Sequence, residues 1–143
     1  MYSRKVDIAI DIAMRFLGKP YVWGGNDPVA GFDCSGLVIE IFKSVGLLPA
    51  QGDWSADGLM NMFKDKVTQT PSEGCLVFYG DGGKATHVEM VISVINKSVL
   101  TIGANSGGSG TRTLQDAINQ DAYIKIRPIK TNPIMIVNPF WSD

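Results

Sequence analysis

The stretch Gly31-Phe32-Asp33-Cys34-Ser35-Gly36-Leu37 constrains the fold more than any other part of the chain. Asp33 belongs to the residue types that cap helices, and from Cys34 onward Val38, Ile41, Phe42 and Val45 recur at helical spacing until Gly46 stops them. A helix therefore begins at a cysteine. The unpaired N–H groups and the positive end of the helix dipole at such a start suit an anionic sulfur nucleophile. Read alone, Cys34 fits equally well as a small hydrophobe filling the core.

The remaining pattern places helices before strands. Val6, Ala9, Ile10, Ala13, Phe16 and Leu17 form an apolar helical stripe, and Gly18 with Pro20 ends it, so a first helix is expected over Ser3–Leu17. Lys19 to Phe32 is a glycine- and proline-rich loop with aromatics, suited to form a wall of a cleft. Ser55 caps a short helix carrying Ala56, Leu59, Met60 and Phe63, and the segment on to Pro71 reads as a connector. Cys75–Tyr79 is a short apolar run between glycines and reads as a central strand; His87–Val94 and Ser98–Ala104 form a hairpin around Ile95–Lys97. Ser106–Gly110 is a loop, Thr113–Asn119 a helical turn, Ala122–Ile129 a further strand, and Ile134–Val137 an edge strand. This order gives an α+β domain with an antiparallel sheet.

Length and charge narrow the function. A chain of 143 residues forms one domain, 1–143, long enough to bury about 70% of its unfolded surface. Thirteen basic and 14 acidic residues give a net charge of −1, which provides no electrostatic footprint for nucleic acid or an anionic membrane. No apolar run approaches a membrane span, and the N-terminal pattern, carrying Asp7, Asp11 and Arg15, is an amphipathic helix and not a signal peptide. Two cysteines make no disulfide framework, so both thiols are expected reduced, Cys75 as a packing residue. One histidine and two separated cysteines make no zinc site, and no metal or other cofactor is implied.

His87 is the single histidine, set in a strand-like run, and any cysteine–imidazole pair must use it. Together with the turn Tyr21-Val22-Trp23-Gly24-Gly25, the Phe-Asp-Cys-Ser-Gly-Leu-Val helix start, the Gly74-Cys75-Leu76-Val77-Phe78-Tyr79 strand and His87-Val88, the chain resembles the NlpC-type cell-wall cysteine peptidases. The likeness runs from Asp7 to about Ile126. It implies a papain-like fold in which the cysteine helix packs against the sheet that bears the histidine. It implies a peptidoglycan endopeptidase that cuts the stem peptide, typically between D-glutamate and the diamino acid, through a thioester on Cys34. Two alternatives stay open: an amidase or D-alanyl-glycyl endopeptidase like the related CHAP-type lysins, and a wall-binding or phage-tail module without catalysis. With no leader in the sequence, delivery to the wall by lysis, a phage particle or a secretion machine is expected, for an endolysin, a tail-associated lytic domain or a secreted antibacterial effector, with phage origin preferred.

The expected roles follow. Cys34 is the nucleophile and His87 the general base and acid. A three-residue hairpin loop pairs Val94 with Ser98 and sets His87 opposite Asn105, the expected orienter of the imidazole, with Ser106 in its place if the register slips by one. Asn105 also fits a simple turn residue. The resemblance gives Tyr21 a hydroxyl role at the oxyanion and gives Asp33 and Ser35 contacts to substrate; Asp33 also fits a helix cap and Ser35 a first-turn residue. Trp23 is expected to be a core aromatic. Glu89 stands where the family commonly has glycine. It lies ~7 Å from His87 on the same strand face, where it could raise the histidine's pKa or meet a cationic substrate group; a solvated or bulge-displaced glutamate is the expected reading.

Overall fold

A computed structural model describes residues 4–27 and 31–141. Helix α1 (Arg4–Arg15) buries Val6, Ala9 and Ala13, and the expected start at Ser3 lies outside the described residues. Within the region read as loop, strands β1 (Asn26–Asp27) and β2 (Gly31–Phe32) form a small antiparallel pair. Helix α2 (Cys34–Ser44) follows, then α3 (Ala56–Met62), then a 3-10 turn at Lys64–Lys66. Strands β3 (Leu76–Asp81), β4 (Lys84–Ile95) and β5 (Ser98–Asn105) run antiparallel, and α4 (Leu114–Gln120) leads to β6 (Tyr123–Pro128) and β7 (Met135–Val137). The sheet order is β6-β5-β4-β3-β7, so the chain meanders across four strands and returns to pair β7 with β3. The α+β architecture with helices ahead of an antiparallel sheet is the one expected.

Alternation along β4 sorts its residues between two faces. Val88 and Met90 join Leu76, Phe78, Ile102, Ala104 and Ile124 in the main core, against the buried Leu37, Val38, Ile41 and Phe42 of α2. Cys75, Val77 and Val91 form a smaller cluster apart from that core, with Tyr79, Val99 and Ile136 packed around it. Cys75 is fully buried and free, as a packing residue should be.

The β4–β5 turn is one residue tighter than expected. Asn96 adopts a left-handed conformation (φ 57°), which closes a two-residue turn and pairs Ile95 with Ser98. An irregularity between Val91 and Ser93 then restores the register, so that Val91 faces Thr101 and Met90 faces Ile102. Continued along both strands, that register sets Glu89 opposite Gly103 and His87 opposite Asn105. Two departures from expectation offset each other.

The start of α2 is docked on the aromatic turn by backbone contact. Asp33 caps it, accepting from the Gly36 N–H at 2.7 Å, and the Asp33 N–H itself donates to the Gly25 carbonyl at 3.0 Å. A Cβ on Gly36 would lie 1.9 Å from that same carbonyl oxygen. Only glycine permits the approach. Gly36→Ala should therefore destabilise the fold by about 2–3 kcal/mol in urea titrations, whereas a wild-type midpoint would contradict this docking.

Candidate active site

Cys34 is the first residue of α2, and it lines a cleft of about 460 Å³ with Tyr21, Trp23, Trp54, Asp33 and Asp53 among its walls. Its sulfur lies 4.0 Å from the Thr86 carbonyl oxygen on β4, which brings the helix start against the strand that carries His87. The His87 side chain is hydrogen-bonded to Glu89 and interacts electrostatically with Cys34. Its Nε2 is 2.6 Å from Glu89 Oε2, so Nδ1 is the nitrogen left for the thiol.

Glu89 corrects the expectation of a solvated carboxylate. It is fully buried, on the same face as His87, and receives bonds from three strands. Thr101 on β5 donates its hydroxyl to Oε1 at 2.5 Å, Arg127 on β6 donates Nε to Oε1 at 3.2 Å, and a second Arg127 nitrogen bonds Oε2. This two-point fork fixes the carboxylate geometrically as well as electrostatically. Burial penalises the Glu89 anion, but the bonds from His87, Arg127 and Thr101 outweigh it and lower the pKa to about 2. Burial likewise disfavours the His87 cation, yet its interactions with Cys34 and Glu89 raise it to about 9.

The other expected site residues divide. Asn105 is buried at the end of β5, and its amide donates to the Gly103 carbonyl at 3.2 Å while Glu89 holds the His87 Nε2. Ser106, the alternative orienter, is exposed, with φ 70°, and its hydroxyl is 3.3 Å from Lys125 Nζ. Tyr21 is buried, and burial followed by the nearby Cys34 and Asp33 pushes its hydroxyl above its usual pKa, leaving a protonated donor beside the thiol. Its ring lies so close to Gly107 that a Cβ there would be 2.3 Å from it. Asp33 serves both as helix cap and as a tie to the turn, accepting from the Gly24 N–H at 3.0 Å and the Ser35 hydroxyl at 3.3 Å. Burial raises its pKa despite these donors. Ser35 is buried and lines the cleft beside it.

Two readings change. Trp23 is 49% exposed and forms a cleft wall instead of filling the core. The segment around Ser55 is more than a connector. Trp54, Ser55 and Ala56 line the cleft, and Asp57 on α3 accepts the Ala85 N–H at 2.9 Å, tying that wall to β4 two residues before His87. The signal for Trp54 was its place immediately before a capping serine; nothing local marked Arg127 or Thr101, which matter only through strand pairing.

The arrangement is one for nucleophilic chemistry. A thiol sits at a helix start, where the N–H groups of Cys34 and Ser35 precede the first intrahelical bond from Leu37 to Asp33, beside an imidazole and a protonated phenol.

The pKa shifts carry a stability consequence whose sign is fixed by linkage. Folding raises His87 from 6.5 to about 9, so its contribution is complete below about pH 6.5 and is lost as pH rises through about 9. Folding lowers Glu89 from 4.5 to about 2, so its contribution is complete above about pH 4.5 and is lost as pH falls through about 2. The difference in urea stability between wild type and His87→Gln should thus be largest near about pH 5–6 and shrink toward about pH 9–10. A difference that stays constant over that range would contradict the assignment.

Comparison with known proteins identifies the family and the fold. The chain is 35% identical over 83 residues to the bifunctional muramidase/DL-endopeptidase CwlT of Bacillus subtilis, covering 56% of this chain and 24% of that protein. It is 29% identical over 132 residues to the murein DD-endopeptidase MepH of Escherichia coli, covering 90% of this chain and 48% of that protein. The match thus spans about a quarter to a half of these relatives' length. Among solved structures, the peptidoglycan hydrolase RipB of Mycobacterium tuberculosis superposes with a TM-score of 0.62 at 25% identity, covering 97% of this chain and 66% of that one. The profile of the NlpC/P60 family matches residues 18–130, and the chain belongs to that family.

Proposed function

We propose that this protein is a peptidoglycan endopeptidase that cleaves stem peptides with Cys34 as nucleophile and His87 as general base and acid. The observation that carries the reading is the Cys34–His87 pair, formed where a helix start meets a strand and held by a buried carboxylate.

The steps follow from the atoms present. His87 Nδ1 already holds the proton given up by Cys34, and Cys34 Sγ attacks the scissile carbonyl carbon as the thiolate. The oxyanion forms near the Cys34 backbone N–H and the Tyr21 hydroxyl, which stays protonated in its buried position. His87 then gives its proton to the leaving amine, the C–N bond breaks, and an acyl thioester remains on Cys34. Water, deprotonated by His87, attacks the thioester; the carboxylate product leaves and Cys34 is restored as the thiolate with the proton on His87. Asn105 packs at the end of the neighbouring strand, and Asp33 and Ser35 face substrate from the cleft wall. Asp33 and Asp53, with the faces of Trp23 and Trp54, give that cleft an acidic, aromatic lining suited to a short peptide bearing an ammonium group.

For the bond, we favour the one from D-glutamate to the diamino acid. The relative named as a DL-endopeptidase has the higher identity of the two over the segment it shares with this chain. The relative named as a DD-endopeptidase matches more of the chain and keeps a cross-link cut as the second reading. Digestion of purified sacculi by wild type and by Cys34→Ala, with fragments identified by mass spectrometry, separates these. New amino termini on the diamino acid, absent with Cys34→Ala, are expected. Cuts at the cross-link or at the glycan–peptide amide would replace the bond assignment, and no release from several wall types by folded wild type would refute the enzyme reading.

A further inference from the structure

We infer that Glu89, clamped by Arg127 and Thr101, is the residue that orients His87, so that the imidazole is positioned from its own strand and not by Asn105 across the hairpin. This rests on the cysteine peptidase reading above for its role in turnover, but not for its geometry.

The arrangement spans three adjacent strands. Glu89 lies two residues beyond His87 on β4, the spacing that puts two side chains on one face. Thr101 on β5 is paired with Arg127 on β6, and both reach back to the same carboxylate. Oε1 is taken by Thr101 and Arg127, and Oε2 is shared between Arg127 and His87. A fully buried carboxylate with both oxygens fixed has one geometry to offer the ring. Because Glu89 remains an anion, Nε2 keeps its proton and Nδ1 is turned to the sulfur.

The neighbouring strand is shaped for this carboxylate. A Cβ on Gly103 would stand 2.7 Å from Glu89 Cγ and 3.2 Å from Cδ. The glycine has no left-handed φ to explain it, so the space it leaves is what Glu89 requires. Asn105 makes a poorer orienter, since its amide donates to the Gly103 carbonyl two residues back. The side chain that acts on Cys34 thus depends on a row running His87, Glu89, Arg127, of alternating charge. The titratable and charged groups that face His87 are Cys34 from α2, Tyr79 from β3 at a ring distance of 6.0 Å, and Glu89 from β4, with Arg127 behind it.

His87 is the only histidine, so its imidazole signals in NMR need no further assignment. We would titrate them in wild type, Glu89→Gln and Asn105→Ala, and measure kcat and KM on a stem-peptide substrate in parallel. Glu89→Gln is expected to lower the His87 midpoint by at least about one pH unit and kcat by about 100-fold with little change in KM. Asn105→Ala is expected to leave the midpoint in place. A wild-type midpoint in Glu89→Gln, or a fall confined to Asn105→Ala, overturns the inference. If Glu89→Gln fails to fold, Gly103→Ala, which forces the carboxylate aside, reads the same midpoint: a fall supports the inference and the wild-type value overturns it. The titration is independent of turnover. An inactive wild type with the expected shift would refute the peptidase reading while leaving the Glu89 assignment standing.

Discussion

One carboxylate, Asp33, ties together the parts of this molecule that must meet. One of its oxygens accepts from the Gly36 N–H and the Ser35 hydroxyl, the other from the Gly24 N–H in the aromatic turn. Helix α2 is thereby fixed to the turn that carries Tyr21 and Trp23, and Cys34 emerges between them. The two glycines beside it are a consequence. Gly36 and Gly25 allow backbone to pack on backbone, which a single added methyl group would prevent. A helix start held this tightly keeps its first N–H groups aimed at the same point in space, as stabilisation of an oxyanion requires.

On the β4 side, the constraint is electrostatic. An imidazole next to a thiol in a partly buried site tends to lose its charge, because burial penalises the cation. Here Cys34 and then Glu89 reverse that tendency, and Glu89 can do so only because Arg127 and Thr101 keep the carboxylate ionised in a fully buried position. A buried anion with one partner removed is costly. With the partners present, the sheet holds a charge row that crosses β4, β5 and β6, and the ring angle of His87 is inherited from strand register. The irregularity between Val91 and Ser93 is therefore part of the site, since a hairpin without it would set Ser106 opposite His87 in place of Asn105 and shift Thr101 from its place.

Much of this could be read from the chain. Cys34 and His87 were legible because a capped helix start and a lone histidine are local features. The helices and the strands of the main sheet were legible because apolar periodicity marks them. Asn105 was placed opposite His87 for the wrong intermediate reason, as the three-residue loop does not form and the bulge compensates. Glu89 was misjudged because an acid in a strand reads as solvated unless its partners are known, and those partners lie on two other strands, at Thr101 and Arg127. Trp23 gave no sign of which side of the chain it faces. These misses share a cause: burial of a polar or aromatic side chain is decided by strand pairing and packing, which sequence spacing does not encode.

The central claim is that Cys34 is the nucleophile, made reactive by an imidazole held in place. Brief treatment of the native protein with iodoacetamide, followed by peptide mapping of both cysteines over a range of pH, tests it most directly. Cys34 lines the cleft and Cys75 is sealed in the sheet, so alkylation should fall on Cys34 alone and slow markedly in His87→Ala. Labelling of Cys75 at a similar rate, or a Cys34 rate indifferent to loss of His87, would contradict the account.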